Sequence, residues 1–166
     1  MSISVASVAL SARALLRWQF RLAHQRLDGA IERLGAEATY RSAPNIATSA
    51  GACYGQMVVC EDLSVNGVLA AGVPLALSTW AGRTGLSALP PLGEPAAWHA
   101  WARSLRLDLA ALRAYAHAVY DATDTAIAAL PAEAFDVQSR DAAVYLLSAL
   151  LLTVSYRHGE ITCILE

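Results

Sequence analysis

Apolar residues recur three and four apart through four stretches of this chain, and one long break rich in proline and glycine separates the second stretch from the third. That period belongs to helices with one buried face, so the pattern predicts an all-α protein, a bundle of four helices. The first helix is expected over 8–34, with Leu15, Trp18, Leu22, Leu27, Ile31 and Leu34 as its buried stripe and Arg13, Arg17, Arg21 and Arg26 mostly between them. Gly35 is a natural stop, because the residue after a helix often needs positive φ. The second helix is expected from Ile46 to about Ala70, opened by an Asn45 cap and carrying Cys53, Gln56, Cys60 and Ser64 along one stripe. Residues 71–95 form the break, with Pro74, Gly82, Gly85, Pro90, Pro91, Gly93 and Pro95. The third helix is expected to run unbroken from Pro95 to Leu130, closed by Pro131. The fourth starts at a Ser139 cap and continues to the C-terminus.

A chain of 166 residues with this pattern is most simply one domain, 1–166, able to bury its own core. Its residues are 56% hydrophobic and only 16% charged, more than one small core requires, so an oligomer face or an apolar pocket is expected. The 12 basic residues are all arginines, set against 14 acids without a basic block; this argues against nucleic acid as a partner. The longest apolar run, Ala142 to Val154, falls short of the ~20 residues that span a bilayer, so no membrane partner is expected. Cys53, Cys60 and Cys163 make an odd set with no basic leader before them. They read as small core residues of a reduced, cytoplasmic chain. No phosphate-binding or dinucleotide-binding glycine pattern is present, and no cofactor is expected.

Three motifs go beyond composition: Glu61-Asp62 followed by Asn66-Gly67, the loop Thr79-Trp80-Ala81-Gly82-Arg83-Thr84-Gly85, and Gly159-Glu160-Ile161 near the end. Together, and spread from Leu16 to Ile161, they resemble the DinB-like family of small four-helix bundles. Many members of that family hold a divalent metal on three histidines, one on the second helix and two on the fourth. The resemblance places those ligands at Gln56, Thr153 and Arg157, so it implies a scaffold without the family's metal site. Family members include thiol transferases, isomerases and hydrolases, and they often pair through helix faces, which implies a homodimer here.

Within that layout Arg157 restores one positive charge where a dication would sit, and its planar fork suits an anionic ligand or a developing oxyanion. It can equally pair with Glu61, Asp62 or Glu160. Glu61 and Glu160 are candidate general acid and base, or else, with Asp62, fix helix packing and the long loop. Gln56, Thr153 and Cys60 are expected beside the ligand, and Trp80 is placed as a lid. His158 is a further ligand-binding candidate, although one residue of helix turns it by about 100° from Arg157. Trp18, Trp98 and Trp101 sit on helix patterns and read as core. His24, His117 and Tyr120 have no partner that sequence supplies. The expectation is a small-molecule protein, most simply a metal-independent isomerase, cyclase or lyase. The alternatives are a non-catalytic ligand-binding or dimerising protein, and a metal-dependent thiol transferase or hydrolase.

Overall fold

Four long helices pack side by side, and the directions of their cross-links fix how they run. The computed structural model describes residues 5–40, 49–91, 93, 95–135 and 141–163. Its helices are α1 (Val5–Ala38), α2 (Ala50–Asp62), α3 (Pro95–Ser104), α4 (Leu109–Ala129) and α5 (Ala142–Thr162). Among the described residues there is no β-strand, only an isolated bridge between Leu86 and Leu107. No described helix is long and apolar enough to cross a membrane.

Along α1 and α4 the ion pairs Arg17–Asp124, Asp28–His117 and Glu32–Arg113 occur in opposite order, so these helices are antiparallel. Tyr54 meets Asp28 and Glu61 meets His24, which makes α2 antiparallel to α1. Cys53 meets Glu160 and Gln56 meets Arg157, which makes α2 antiparallel to α5 as well. Helices α2 and α4 are therefore parallel, and parallel neighbours need a long crossover. Residues 63–108 supply it. Among the described residues three buried clusters fill the interior, one around Tyr54, Val58, Leu112 and Ile161, one around Phe20, Val65, Ile127 and Leu147, and a smaller one of Ala52, Trp101 and Leu105.

Local chemistry explains most boundaries. Gly35 has φ 68° and breaks the helical geometry near the end of α1, as expected. Ser49 caps α2 by accepting from Ala52 N, Asp108 caps α4 through Ala111 N, and Asp141 caps α5 through Ala143 N. The proposed Asn45 and Ser139 caps lie outside the described residues. After Asp62, α2 continues as a π-helical segment, Leu63–Leu69, in which Ala70 N reaches back five residues to the Val65 carbonyl.

Three expectations need correction. The single third helix is two, because the loop motif interrupts it. Gly85 (φ 80°) lies so close to the start of α4 that a Cβ there would stand 2.4 Å from Leu112 N. Its carbonyl accepts from Asp108 N, while Ser87 N donates to the Arg106 carbonyl. Those bonds hold residues 106–108 extended, and helical hydrogen bonding restarts only at Leu109. The buried stripe of α1 is also shifted. Leu16, Phe20, His24, Leu27 and Ile31 face inward, whereas Leu15 and Trp18 are exposed, Trp18 by 56%. Both stripes have helical spacing, and only the position of the neighbouring helices selects one. Trp101 is buried in the core as expected, but Cys163 is exposed.

Candidate functional site

Asp62 shows what the Glu-Asp pair does on its loop side. Its carboxylate accepts from the Asn66 side-chain amide and Leu75 N at Oδ1, and from Ala76 N and the Tyr115 hydroxyl at Oδ2, all within 2.9 Å. One side chain thus ties the π-helical segment, the loop and α4 together, the packing role that sequence left open for this pair. Trp80 lies against Tyr115 with the Arg83 guanidinium over its ring, and Arg83 also donates to the Thr79 carbonyl.

Arg157 projects from α5 toward α2. Its guanidinium donates to Glu160 Oε2 at 2.5 Å and to Gln56 Oε1 at 3.2 Å. It also lies 5.6 Å from the ring centre of Trp98 on α3, so the aromatic covering this group is Trp98 rather than Trp80. The Cys53 thiol donates to the same carboxylate oxygen of Glu160 over 4.0 Å, and burial pushes it up to about 11. Burial also raises the Cys60 thiol, partly offset by Arg157. Neither cysteine has the low-pKa environment of a nucleophile. Thr153 is not brought to this cluster: it is exposed, and its hydroxyl donates to the Ala149 carbonyl of its own helix. His158 faces α1, where it lines a cavity with Arg26. An amide, a guanidinium and an exposed hydroxyl do not fit a dication at these three positions. Among the described residues no three His, Cys, Asp or Glu side chains form a metal-ligating group.

Glu61, one residue before Asp62, points the other way and meets residues for which sequence offered no partner. Its carboxyl group is fully buried, 3.0 Å from His24 Nε2 on α1, and it accepts from the Thr123 hydroxyl on α4 at 2.6 Å. The Tyr120 ring stacks on the His24 imidazole, with centroids 3.7 Å apart and planes within 10°. The Tyr120 hydroxyl donates to Asp28 Oδ1, which also receives the Tyr54 hydroxyl at 3.0 Å; His117 Nε2 stands 2.8 Å from Asp28 Oδ2. Burial, followed by Tyr54, Asp28 and Glu61, holds the Tyr120 phenol well above its ordinary value, so it is a hydrogen-bond donor and not a base.

These groups are not sealed inside. A cavity of about 340 Å³ opens between α1 and α4, lined by Phe20, His24, Asp28, His117 and Tyr120 with Arg21 and the exposed Asp121 at its edge. His24, 5% exposed, is the wall residue that connects this space to buried Glu61. Convergent titratable groups in a concave, part-aromatic space are the usual marks of a ligand site. Sequence reasoning could not find it, because His24 and Glu61 lie 37 residues apart on different helices. The one hint in the chain is the position of His24 among the apolar residues of a helix.

Comparison with known proteins adds no identity: no protein-family profile, no curated protein and no solved structure matches this chain.

Proposed function

We propose that this chain is a DinB-like four-helix bundle that acts on a small organic molecule without a metal, by proton transfer in the cavity between α1 and α4. The reaction class is isomerase, cyclase or lyase, chemistry that moves a proton to or from carbon and needs an acid–base group at the substrate. The observation that carries the reading is the His24–Glu61 pair, a buried carboxyl group 3.0 Å from an imidazole that lines a cavity. An ionised carboxylate only accepts hydrogen bonds, so Glu61 places the ring hydrogen on Nε2 and leaves the lone pair on Nδ1. Nδ1 then serves as the general base, and Glu61 is the positioning residue that steadies the imidazolium formed. Thr123 fixes the far oxygen of Glu61, and the stacked Tyr120 ring limits rotation of His24. Arg157 and Glu160 are internal partners in this reading, and the resemblance to the DinB-like family supplies the bundle rather than the chemistry.

The test is protein-dependent exchange of carbon-bound hydrogen for deuterium in D₂O, followed by proton NMR across a panel of ketones, aldehydes and 2-oxo acids. At least one compound is expected to exchange faster with the protein than without it. The gain should disappear in His24→Gln, fall in Glu61→Gln and persist in Arg157→Met. A panel in which no compound exchanges faster, or in which His24→Gln exchanges as fast as wild type, overturns the assignment.

A further inference from the structure

A second cavity, of about 270 Å³, lies on the other side of α1, against α5. It is separate in composition from the first: its walls are Leu22, Ala23, Leu151 and Val154. The two helices run parallel, since both are antiparallel to α2, and this sets the order of residues along the slot. Arg26 follows Leu22 by four residues on α1, and His158 follows Val154 by four on α5. One turn beyond the apolar walls, therefore, both helices deliver a cationic or hydrogen-bonding side chain to the same end. Gln19 and Ser155 add polar atoms along the slot, and no carboxylate lines it.

Among the described residues no acid forms an ion pair with Arg26 or with Arg33 farther along α1. Glu160, the nearest acid to His158 in sequence, is taken by Arg157. Burial and then Arg26 and Arg33 hold the His158 imidazole below its ordinary value, against a hydrogen bond to the Arg26 backbone that acts the other way.

We infer that this cavity binds a small monocarboxylate with an apolar body, its carboxylate held by the Arg26 guanidinium and its chain laid along Leu22, Val154 and Leu151. The guanidinium fork matches a carboxylate in two parallel hydrogen bonds. The apolar walls supply the affinity of the chain, and a volume at the low end of ligand pockets restricts the guest to a few carbons. This site is independent of the proton-transfer reading, because it shares no lining residue with the cavity between α1 and α4.

The experiment titrates methyl-labelled full-length protein with hexanoate, and in parallel with hexylammonium and hexanol. Hexanoate should give saturable shifts at the methyls of Leu22, Leu151 and Val154, with both controls at least tenfold weaker, about 1.4 kcal/mol. Arg26→Gln should weaken hexanoate by at least tenfold and leave the circular dichroism unchanged, since Arg26 is exposed. Leu151→Trp, which fills the slot and spares Arg26, should abolish binding. The inference fails if hexylammonium binds as well as hexanoate, or if Arg26→Gln binds like wild type. It also fails if no saturable shift appears at those three methyls, even where hexanoate moves the ring protons of His24 and Tyr120.

Discussion

Replacing Asp62 with asparagine exchanges one oxygen for an NH₂ group and tests whether this carboxylate holds the long crossover in place. In the wild type each carboxylate oxygen accepts two hydrogen bonds: Asn66 and Leu75 N at Oδ1, Ala76 N and Tyr115 at Oδ2. The amide has the same shape, but one oxygen becomes an NH₂ group facing two donors. With NH₂ at the Oδ2 position the Tyr115 hydroxyl can turn and accept, yet Ala76 N–H is left without an acceptor. With NH₂ at Oδ1 the Asn66 amide can flip, yet Leu75 N–H is left. Either way one backbone donor loses its partner, and the remaining bonds lose their charge assistance. Hydrogen bonds to charged groups contribute about 1.5–3 kcal/mol each and an orphaned buried donor costs about 1–3, so a loss of about 3 kcal/mol is expected after the compensating rotation. For a chain of this length that lowers Tm by roughly 6–12 °C. Urea unfolding gives the energy, and hydrogen exchange of the Leu75 and Ala76 amides gives the place. A loss below about 1 kcal/mol, typical of an ordinary surface change, refutes the reasoning, as does unchanged protection of those two amides.

Arg157→Met removes one half of an ion pair whose side chains are 24% and 19% exposed. A cost of about 2 kcal/mol is expected, between the 0–1 of surface pairs and the 3–5 of buried ones; it should shrink in a Glu160→Gln background, and a purely additive double-mutant cycle would reject the coupling. Native-state alkylation at pH 8 should label the exposed Cys163 and spare Cys53, whose thiol is both buried and raised to about 11; equal labelling rates by mass spectrometry would contradict this. The hydrogen bond and charge of Arg17 hold Asp124 below its ordinary 3.8, so the stability this pair supplies is complete above that value and is lost as pH falls through the lower folded one. Asp124→Asn should therefore flatten the acid limb of the stability profile, and a limb identical to wild type would count against it. Tyr145, Leu152 and Tyr156 form an exposed apolar stripe on α5, so light scattering is expected to return twice the 17.5 kDa chain mass, reduced by Leu152→Glu. A wild-type monomer would remove the homodimer.

What sequence determined by itself is the local part of this protein. Apolar spacing, Gly35, Pro95 and Pro131 fix that it is helical and where most helices end, because helix period and backbone φ are properties of neighbouring residues. The Glu61-Asp62 pair is legible in the sequence too, although the opposite directions its members take are not. Tertiary structure decided everything that depends on what lies across the gap. The approach of Gly85 to α4 splits a helix whose own sequence has no breaker, and the packing of α2, α4 and α5 selects Leu16 and Phe20 over Leu15 and Trp18. The same applies to the candidate sites. Two adjacent positions on a helix differ by about 100°, so His158 leaves Arg157 for the α1 side, and Glu61 leaves Asp62 to find His24. Partnership between helices is set by their relative placement, and hydrophobic period carries no information about that placement.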